Sequence, residues 1–580
     1  MCGLFGFVAA DGGVAARLEK ARAARDTLIH RGPDQAGEWH DEHAYVGHRR
    51  LSIIDTSEAG RQPMASDDGA VVIAANGEIY NFRALRAELE AAGAAFRSGS
   101  DSEVILHGYR FWGIEKLLAK IDGMYAFSIY DAAQGMLYLV RDRAGIKPLY
   151  YGWRGGVLSW ASELKALVAF HGRDALTVDN TALYDFLTYR YVPSPKSCYR
   201  EIGKLPPAHL LRLDIASGQM EVRRYWQLPF GDEPVDEKQA SEELAHLLAR
   251  SVSEQMVADV PVGFFLSGGV DSSLVTALAA RDGHMVNTFS IGFGIEGFDE
   301  TPYAEMVARH VGARHRTDII TPDLDLPFPD WLLQLYDEPF ADTSALPTWY
   351  VARHARKAAT VVLTGDGGDE LFGGYRWYGE MPRHARYAWL LRRVPGWVAR
   401  DFPVGRVRRV LAAMSGEPDL LASLNTLFFT PSSRETRARA RSELGIPADY
   451  DDMWFFRQFW RPQDMPLRKA LQYLDFHTFL PDDCLTKVDR ATMAHSLEAR
   501  VPFLSLALME FAFRQPESFL YRDGRLKGGL KHAFQDLLPQ AIHDRGKKGF
   551  SLPWAKWHGQ LGSGRQLTAS VLERFLQTAT

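Results

Sequence analysis

The second residue of the chain is a cysteine, and its position gives it a chemistry that an internal cysteine lacks. If Met1 is removed, Cys2 becomes the amino terminus and carries a thiol and an α-amine. The amine titrates near pH ~8 and a free thiol near ~8.5, so the amine can act as general base for its own thiol. The alternative is that Cys2 has no chemical role and is merely a small residue tolerated after the initiator methionine. Cys2 is therefore a candidate nucleophile that other parts of the chain must support.

Residues 267–273 read Ser-Gly-Gly-Val-Asp-Ser-Ser and follow the apolar run Val262–Leu266. The two glycines let the backbone approach a ligand closely, and the N–H groups at a helix start attract phosphate. This is not a Walker A loop, because no Gly-x-x-x-x-Gly-Lys-Ser/Thr pattern occurs. A helix N-cap is the alternative. The position after an apolar strand favours a pyrophosphate site.

A second loop, residues 364–375, is acidic and rich in glycine and also follows an apolar run. Its carboxylates at Asp366, Asp369 and Glu370 are oxygen ligands of the kind that Mg²⁺ uses beside nucleotide phosphates. A solvated acidic turn is the alternative. Because both loops end strands of one inferred parallel sheet, we expect them to meet at its carboxyl edge.

The elements that must position these groups change in type along the chain. The amino-terminal third predicts short antiparallel strands with intervening helices. The strands are predicted at 70–75, ending at an Asn76-Gly77 turn, and at 124–130, 136–141, 148–151 and 157–160, with helices at 16–28, 82–92 and 102–112. Farther on, strands at 262–266, 286–293 and 360–363 alternate with helices at 272–281 and 302–311. That alternation predicts a parallel sheet, followed by a mainly helical region.

Composition narrows the class of protein. A chain of 580 residues is too long for one core and predicts two or three domains. The net charge of −5 gives no basic footprint, so we expect no nucleic-acid partner. The three cysteines, Cys2, Cys198 and Cys484, are too far apart for a disulfide framework or a zinc pair. With no signal peptide and no apolar run of roughly 18 residues, we expect no membrane partner and a cytoplasmic enzyme, where Cys2 stays reduced.

Three stretches together resemble glutamine-hydrolysing asparagine synthetase: Cys2-Gly3, the Asn-Gly-Glu-Ile-Tyr-Asn run at 76–81, and the loop at 267–273. The resemblance runs from Met1 to about Leu552. It implies an α+β N-terminal nucleophile hydrolase domain of four layers (αββα), followed by an α/β parallel-sheet ATP-pyrophosphatase domain with a helical C-terminal part. The implied boundaries are 2–212 for the glutamine amidotransferase domain, 213–240 for a linker, 241–560 for the synthetase domain and 561–580 for a tail.

In such an amidotransferase domain, the resemblance implies that Cys2 attacks the glutamine amide, forms a γ-glutamyl thioester and releases ammonia. The implied oxyanion hole consists of the Asn76 side chain and the Gly77 backbone N–H. The implied glutamine-binding residues are Arg50, Leu51, Ile53, Glu78 and Asp101, with charges that suit the two ends of an amino acid. His30 lies in a matching loop and is either part of the pocket or a structural hydrogen-bonding residue.

In the second domain, the resemblance implies attack of a carboxylate on the α-phosphate of ATP, giving an acyl-adenylate from which ammonia displaces AMP. The implied ATP-binding residues are Leu266, Ser267, Gly268, Gly269, Asp271, Ser272, Ser273, Ile291, Thr364 and Gly365. Asp271 and Asp369 are the implied Mg²⁺ ligands, and Lys547, in a basic stretch, is the implied catalytic lysine. Asp366 stands where some members have a glutamate that is tied to acyl-adenylate formation.

The expected reaction converts L-aspartate, L-glutamine, ATP and water to L-asparagine, L-glutamate, AMP and diphosphate. Ammonia then has to travel between the two sites. One alternative keeps this chemistry on another carboxylate, such as a sugar acid, peptide or secondary metabolite, and another is a non-catalytic storage or regulatory protein. The sequence leaves the oligomeric state open, with a homodimer as one option. A polar stretch that either binds the acceptor or braces the domain contains Lys487, Asp489, Arg490, Glu498 and Arg500.

Overall fold

The structure, a computed structural model, describes most of the 580 residues. The described residues are 2–233, 236–295, 299–320, 324–391, 393–394, 419–428, 432, 434–546 and 564–579. No helix within these ranges is long and apolar enough to cross a membrane.

Residues 2–224 form two six-stranded antiparallel sheets. The strands are β1 (Gly3–Ala9), β2 (Gln35–His40), β3 (Ala44–Arg50), β4 (Met64–Ala65), β5 (Val71–Ile79), β6 (Gly123–Asp131), β7 (Met136–Arg141), β8 (Tyr150–Arg154), β9 (Val157–Ala161), β10 (Ile202–Lys204), β11 (His209–Asp214) and β12 (Met220–Arg224). The first sheet has the order β10-β8-β9-β1-β3-β2, and the second has the order β12-β11-β7-β6-β5-β4. The second sheet therefore extends beyond residue 212, where the sequence suggested a domain boundary.

Helices cover the outer face of each sheet. They are α1 (Leu18–Asp26), α2 (Phe82–Ala91), α3 (Glu103–Lys120), α4 (Leu164–His171) and α5 (Asn180–Tyr189). Alternate side chains of β1 point to opposite faces, as they must in a strand. Phe5 packs in a cluster with residues of α1, whereas Leu4 packs in a cluster with Val72 of the second sheet. On the far side, Ile73 packs with α2 and α3. The four-layer αββα arrangement is thus confirmed.

The second half of the chain contains a five-stranded parallel sheet with the order β15-β14-β13-β16-β17. Its strands are β13 (Val262–Phe265), β14 (Asn287–Gly292), β15 (Arg314–Ile319), β16 (Val361–Leu363) and β17 (Glu498–Arg500). The predicted α/β class is therefore confirmed. Because β16 lies beside β13 and both strands run the same way, the loops that follow them leave the sheet at one edge.

The described remainder of the chain is mainly helical, as the sequence predicts. The helices are α6 (Glu237–Gln255), α7 (Val270–Arg281), α8 (Thr301–His310), α9 (Phe328–Tyr336), α10 (Ala345–Arg356), α11 (Gly368–Phe372), α12 (Arg376–Leu391), α13 (Leu420–Phe428), α14 (Arg434–Glu443), α15 (Trp454–Arg457), α16 (Leu467–His477), α17 (Thr486–Met493), α18 (Leu506–Arg514), α19 (Glu517–Leu520), α20 (Gly528–Ala533), α21 (Gln540–Asp544) and α22 (Gly564–Ala579). The last of these lies in the predicted tail and buries Leu567 and Val571 in the core.

One local prediction is wrong. The Asn76-Gly77 pair is not a turn, because β5 continues through it to Ile79 and pairs with β6 along its whole length. Gly77 has φ +145°, and a Cβ atom there would lie 1.9 Å from the Met124 carbonyl oxygen. The glycine therefore serves a close approach of two strands, a use that the local turn signal conceals.

Candidate functional site

Cys2 lies at the start of β1, in the middle of the first sheet. Its backbone nitrogen donates to Asn76 Oδ1 at 2.9 Å, and its carbonyl oxygen accepts from Arg31 Nε at 3.1 Å. The residue is only 6% exposed, and burial raises the pKa of its thiol. A nucleophile here therefore needs a base to remove its proton, as an adjacent α-amine would.

Asn76 reaches Cys2 from β5 of the second sheet, so the packing of the two sheets creates this contact. Its Oδ1 accepts the bond from Cys2, while its Nδ2 is buried and has no hydrogen-bond partner among the described residues. A buried donor without a partner costs free energy of folding unless a ligand or water accepts a hydrogen bond from it. Its position beside Cys2 suits a donor to an oxyanion, which is the predicted role.

Two buried carboxyl groups, Glu78 and Asp101, lie at the end of β5. Burial, together with the nearby Asp101 and Glu498 carboxylates, raises the pKa of Glu78 well above its usual range. Burial also raises the pKa of Asp101 to about 6, although its Oδ2 accepts a bond from the Ile79 N–H at 2.7 Å. A nearby cation favours the ionised form of such buried carboxyl groups; Arg500, 3.3 Å from Glu78, is one, and a substrate α-ammonium would be another.

The remaining residues of the predicted glutamine pocket have structural contacts. The Nη atoms of Arg50 donate to Gln35 Oε1 and to three backbone carbonyl oxygens in the 54–57 loop, which fixes that loop against β3. The carbonyl oxygen of Ile53 accepts from Asp259 N at 2.8 Å, and Leu51 is buried. Direct binding of glutamine by these three residues stays a prediction.

The loop after β13 is shaped by its own hydroxyl groups. Ser267 Oγ lies 3.2 Å from Ser272 Oγ and accepts from the Gly269 N–H. Helix α7 then begins at Val270, so its first N–H groups point towards the loop. Gly268 has φ +69° and packs its backbone against Tyr303, where a Cβ would lie 2.5 Å away.

The second loop meets the first, as predicted from the sheet. A Cβ atom on Gly365 would lie 2.7 Å from Ser272 N and 2.8 Å from Asp271 Cβ, so only glycine allows this approach. The Asp366 Oδ2 accepts from Thr364 Oγ1 at 2.7 Å.

Together the two loops border a cavity of about 610 Å³. The predicted residues that line it are Leu266, Ser267, Gly269, Asp271, Ser272, Ile291, Thr364, Gly365, Asp366 and Asp369. Gly268 and Ser273 do not line it: the first packs on Tyr303, and the second is fully buried.

The predicted metal ligands converge on one point, and a residue that sequence reasoning missed occupies it. Lys527 Nζ contacts Asp369 Oδ1 at 2.5 Å and also contacts Asp271 Oδ2. Two carboxylates that reach a single cationic centre fit Mg²⁺, which is held by one or two carboxylates plus phosphate oxygens. No cluster of three or more His, Cys, Asp or Glu side chains in the described ranges forms a metal site by itself. Lys527 lies in a short segment without a motif, so no sequence signal identified it.

The predicted catalytic Lys547 lies outside the described residues. The two described residues that precede it, Arg545 and Gly546, line the cavity. Arg545 forms an ion pair with Glu300 and donates to the Ser267 carbonyl oxygen at 3.2 Å.

The polar stretch whose role the sequence left open divides into two groups. Lys487 lines the cavity and donates to Asp342 Oδ2 at 2.8 Å. The others form buried ion pairs with the amino-terminal half: Asp489 binds Arg31 at 2.8 Å, Arg490 lies 3.2 Å from Glu163, and Arg500 joins Glu498 to Glu78. These four residues therefore join the two halves of the molecule.

His30 belongs to the same interface. Its Nε2 lies 3.1 Å from both Glu163 carboxylate oxygens, and its carbonyl oxygen accepts from Ser496 Oγ at 2.6 Å. These contacts favour the structural alternative for this histidine.

Comparison with known proteins identifies both halves. A family model described as "Asparagine synthase" matches residues 243–576, and one described as "Glutamine amidotransferase domain" matches residues 1–226. The chain is 34% identical to asparagine synthetase [glutamine-hydrolyzing] 1 of Bacillus subtilis, over 93% of this chain and 84% of the relative. It is 36% identical to a putative asparagine synthetase [glutamine-hydrolyzing] of Mycobacterium tuberculosis, over 96% of this chain and 88% of the relative.

Proposed function

The chain belongs to the glutamine-hydrolysing asparagine synthetase family, and from this we propose how its two sites divide the reaction. The activity is ATP-dependent amide synthesis with glutamine as nitrogen donor, the work of a carbon–nitrogen ligase. We propose L-aspartate as the acceptor, which gives L-asparagine, L-glutamate, AMP and diphosphate. The observation that carries this proposal is the pairing, in one chain, of a buried Cys2–Asn76 site with a separate cavity that is lined by both nucleotide loops.

At the first site, the Cys2 thiol gives its proton to its own α-amine and the sulfur attacks the amide carbon of glutamine. Asn76 Nδ2 and the Gly77 N–H stabilise the oxyanion that forms. The carbon–nitrogen bond breaks, the nitrogen takes the proton and leaves as ammonia, and water hydrolyses the thioester to glutamate. Glu78 and Asp101 hold the substrate ammonium, and a bound cation offsets the cost of ionising two carboxyl groups whose pKa values are raised mainly by burial.

At the second site, a carboxylate oxygen of the acceptor attacks the α-phosphorus of ATP. The bond between the α- and β-phosphates breaks, pyrophosphate leaves, and an acyl-adenylate remains. Ammonia from the first site then displaces AMP. The loop 267–273 holds the leaving pyrophosphate, with the N-terminus of α7 directed at it.

Asp271 and Asp369 would hold Mg²⁺, which would neutralise negative charge on the nucleotide phosphates. The convergence of both carboxylates on one point supports this assignment. The catalytic assignments of Asp366 and Lys547 rest on the family resemblance. The hydrogen bond from Thr364 that fixes Asp366 at the cavity wall supports the first of them.

We propose that ammonia passes between the sites along the apolar cluster that both sites border. It includes Leu51 and Ile53 on the amidotransferase side and Leu266 and Leu363 at the nucleotide loops. A neutral molecule crosses such a region without the desolvation cost that the ammonium ion would meet.

The acceptor is tested by a screen of carboxylates, read out as pyrophosphate released with ATP, Mg²⁺ and ammonia. Aspartate is expected to give the largest rate, with asparagine and AMP formed in equal amounts. Release of pyrophosphate with another carboxylate but none with aspartate would show that the enzyme carries out the same reaction on that other acceptor. Absence of release with every carboxylate, and of glutaminase turnover, would favour the storage or regulatory alternative.

We also propose a cytoplasmic location, where reducing conditions keep the three free cysteines of the chain as thiols. The homodimer remains an option that size measurement in solution would decide. For the domains, we propose a first unit that ends after β12, a linker before α6, and a second unit that begins with α6.

A further inference from the structure

Lys527 occupies a constrained position between the two acidic residues of the cavity. It is 5% exposed, has φ +57° and immediately precedes α20. Gly374 packs against it so closely that a Cβ atom there would lie 2.2 Å from Lys527 Cε and 1.8 Å from Asp369 Oδ1. The backbone on both sides therefore directs the ammonium group to one place.

That place coincides with the centre at which the two carboxylates would bind a metal. The ammonium contacts Asp271 and Asp369 together, at hydrogen-bonding distance. A magnesium ion held by the same oxygen atoms sits about 2.0–2.1 Å from each of them. The two cations cannot occupy the space between the same two carboxylates at once.

We propose that Lys527 is an internal counter-ion that holds Asp271 and Asp369 together in the metal-free enzyme and is displaced when the metal arrives with the nucleotide. A displaced ammonium in a buried site needs a new anionic partner, and the triphosphate supplies one. The metal is thereby admitted efficiently only together with ATP. This inference rests on the proposed function, because it takes Asp271 and Asp369 as the metal-binding pair.

The test measures Mn²⁺ affinity by electron paramagnetic resonance on the full-length protein, first without nucleotide. Lys527→Met removes the ammonium and keeps the length of the side chain, so Mn²⁺ should bind at least about tenfold tighter than to the wild type. Lys238→Met is the control, since Lys238 is an exposed lysine of α6 that does not line the cavity. That variant should stay within about twofold of the wild type.

A second titration adds α,β-methylene-ATP, which cannot lose pyrophosphate. The wild type should then bind Mn²⁺ much more tightly than without nucleotide, and Lys527→Met should gain less. If Lys527→Met does not fold, Lys527→Gln replaces it in both titrations, and the thermal melting temperature with and without Mn²⁺ gives an independent measure of binding.

The outcomes separate the inference from the proposed function. If the wild type and the Lys527 variant bind Mn²⁺ equally well without nucleotide, the counter-ion role is wrong while the metal site stands. If Asp271→Asn does not weaken Mn²⁺ binding in the presence of the nucleotide analogue, the metal pair itself is wrong and the inference fails with it.

Discussion

The backbone nitrogen of Cys2 donates a hydrogen bond to Asn76 Oδ1 at 2.9 Å, although the two residues are 74 positions apart in the chain. This bond fixes the side-chain amide, with its oxygen towards Cys2 and its Nδ2 in a buried position without a partner among the described residues. One side chain thus both anchors Cys2 and presents a donor beside it. The two roles can be separated by mutation.

We expect Asn76→Asp to lower the kcat of glutamine hydrolysis by about 10²- to 10³-fold, since it keeps an acceptor for the Cys2 nitrogen but loses the donor. Asn76→Ala should lose both functions and fall at least as far. Synthesis from free ammonia is the control and should be retained in both variants. A fully active Asn76→Asp enzyme would show that the amide does not serve the oxyanion.

Replacement of Cys2 by alanine should abolish glutamine-driven synthesis and leave ammonia-driven synthesis intact, because only the first site uses the thiol. Asp271→Ala should abolish both, since both depend on ATP. The measurements are initial rates of pyrophosphate release with either nitrogen source. Glutamine-driven synthesis by Cys2→Ala would remove Cys2 from the mechanism.

Glutamine binding should weaken in acid. Burial raises the pKa of Asp101 to about 6, and only the ionised carboxylate attracts the substrate ammonium. The KM for glutamine should therefore rise by up to about tenfold per pH unit below that value. Asp101→Asn should bind glutamine weakly at every pH and lose this slope. A KM for the wild type that is constant from pH 5 to pH 7 contradicts the assignment.

From the environment of Asp475 we predict a pH effect on stability rather than on catalysis. Its Oδ2 accepts bonds from Trp377 Nε1 and Tyr378 OH, and burial raises its pKa from 3.8 to about 7. The folded state therefore holds a proton that the unfolded chain releases, so this residue lowers the free energy of unfolding as pH rises through that interval.

Asp475→Asn should remove this penalty, which is about 1.4 kcal/mol for each unit of pKa difference. The variant should melt above the wild type at pH 8, with the gap narrowing towards pH 4. Asp449→Asn, at an exposed position, is the matched control and should show no such change. Equal melting temperatures of Asp475→Asn and the wild type at pH 8 would contradict the raised pKa of Asp475.

The sequence alone identified the functional groups whose neighbours in space are also neighbours in the chain. The loop 267–273 works through its own glycines, hydroxyl groups and following helix, and each of these lies within a few residues of the next. Alternating strands and helices identified the parallel sheet, and strand ends of such a sheet meet at one edge for geometric reasons. Most predicted strands also lie where the structure has them, because the residue pattern of a strand is a local signal.

Only the tertiary structure decided the contacts between distant segments. The Asn-Gly pair at 76–77 has the local signature of a turn, but pairing with β6 makes it part of a strand and brings it to Cys2. Lys527 lies 256 positions from Asp271 and follows no pattern that predicts an ion pair. Local periodicity reports which face of an element is buried, whereas a contact across the fold depends on how whole layers pack. Cys2 could therefore be identified from the sequence as the candidate nucleophile. The orientation of the Asn76 amide and the position of Lys527 between Asp271 and Asp369 could be seen only in the fold.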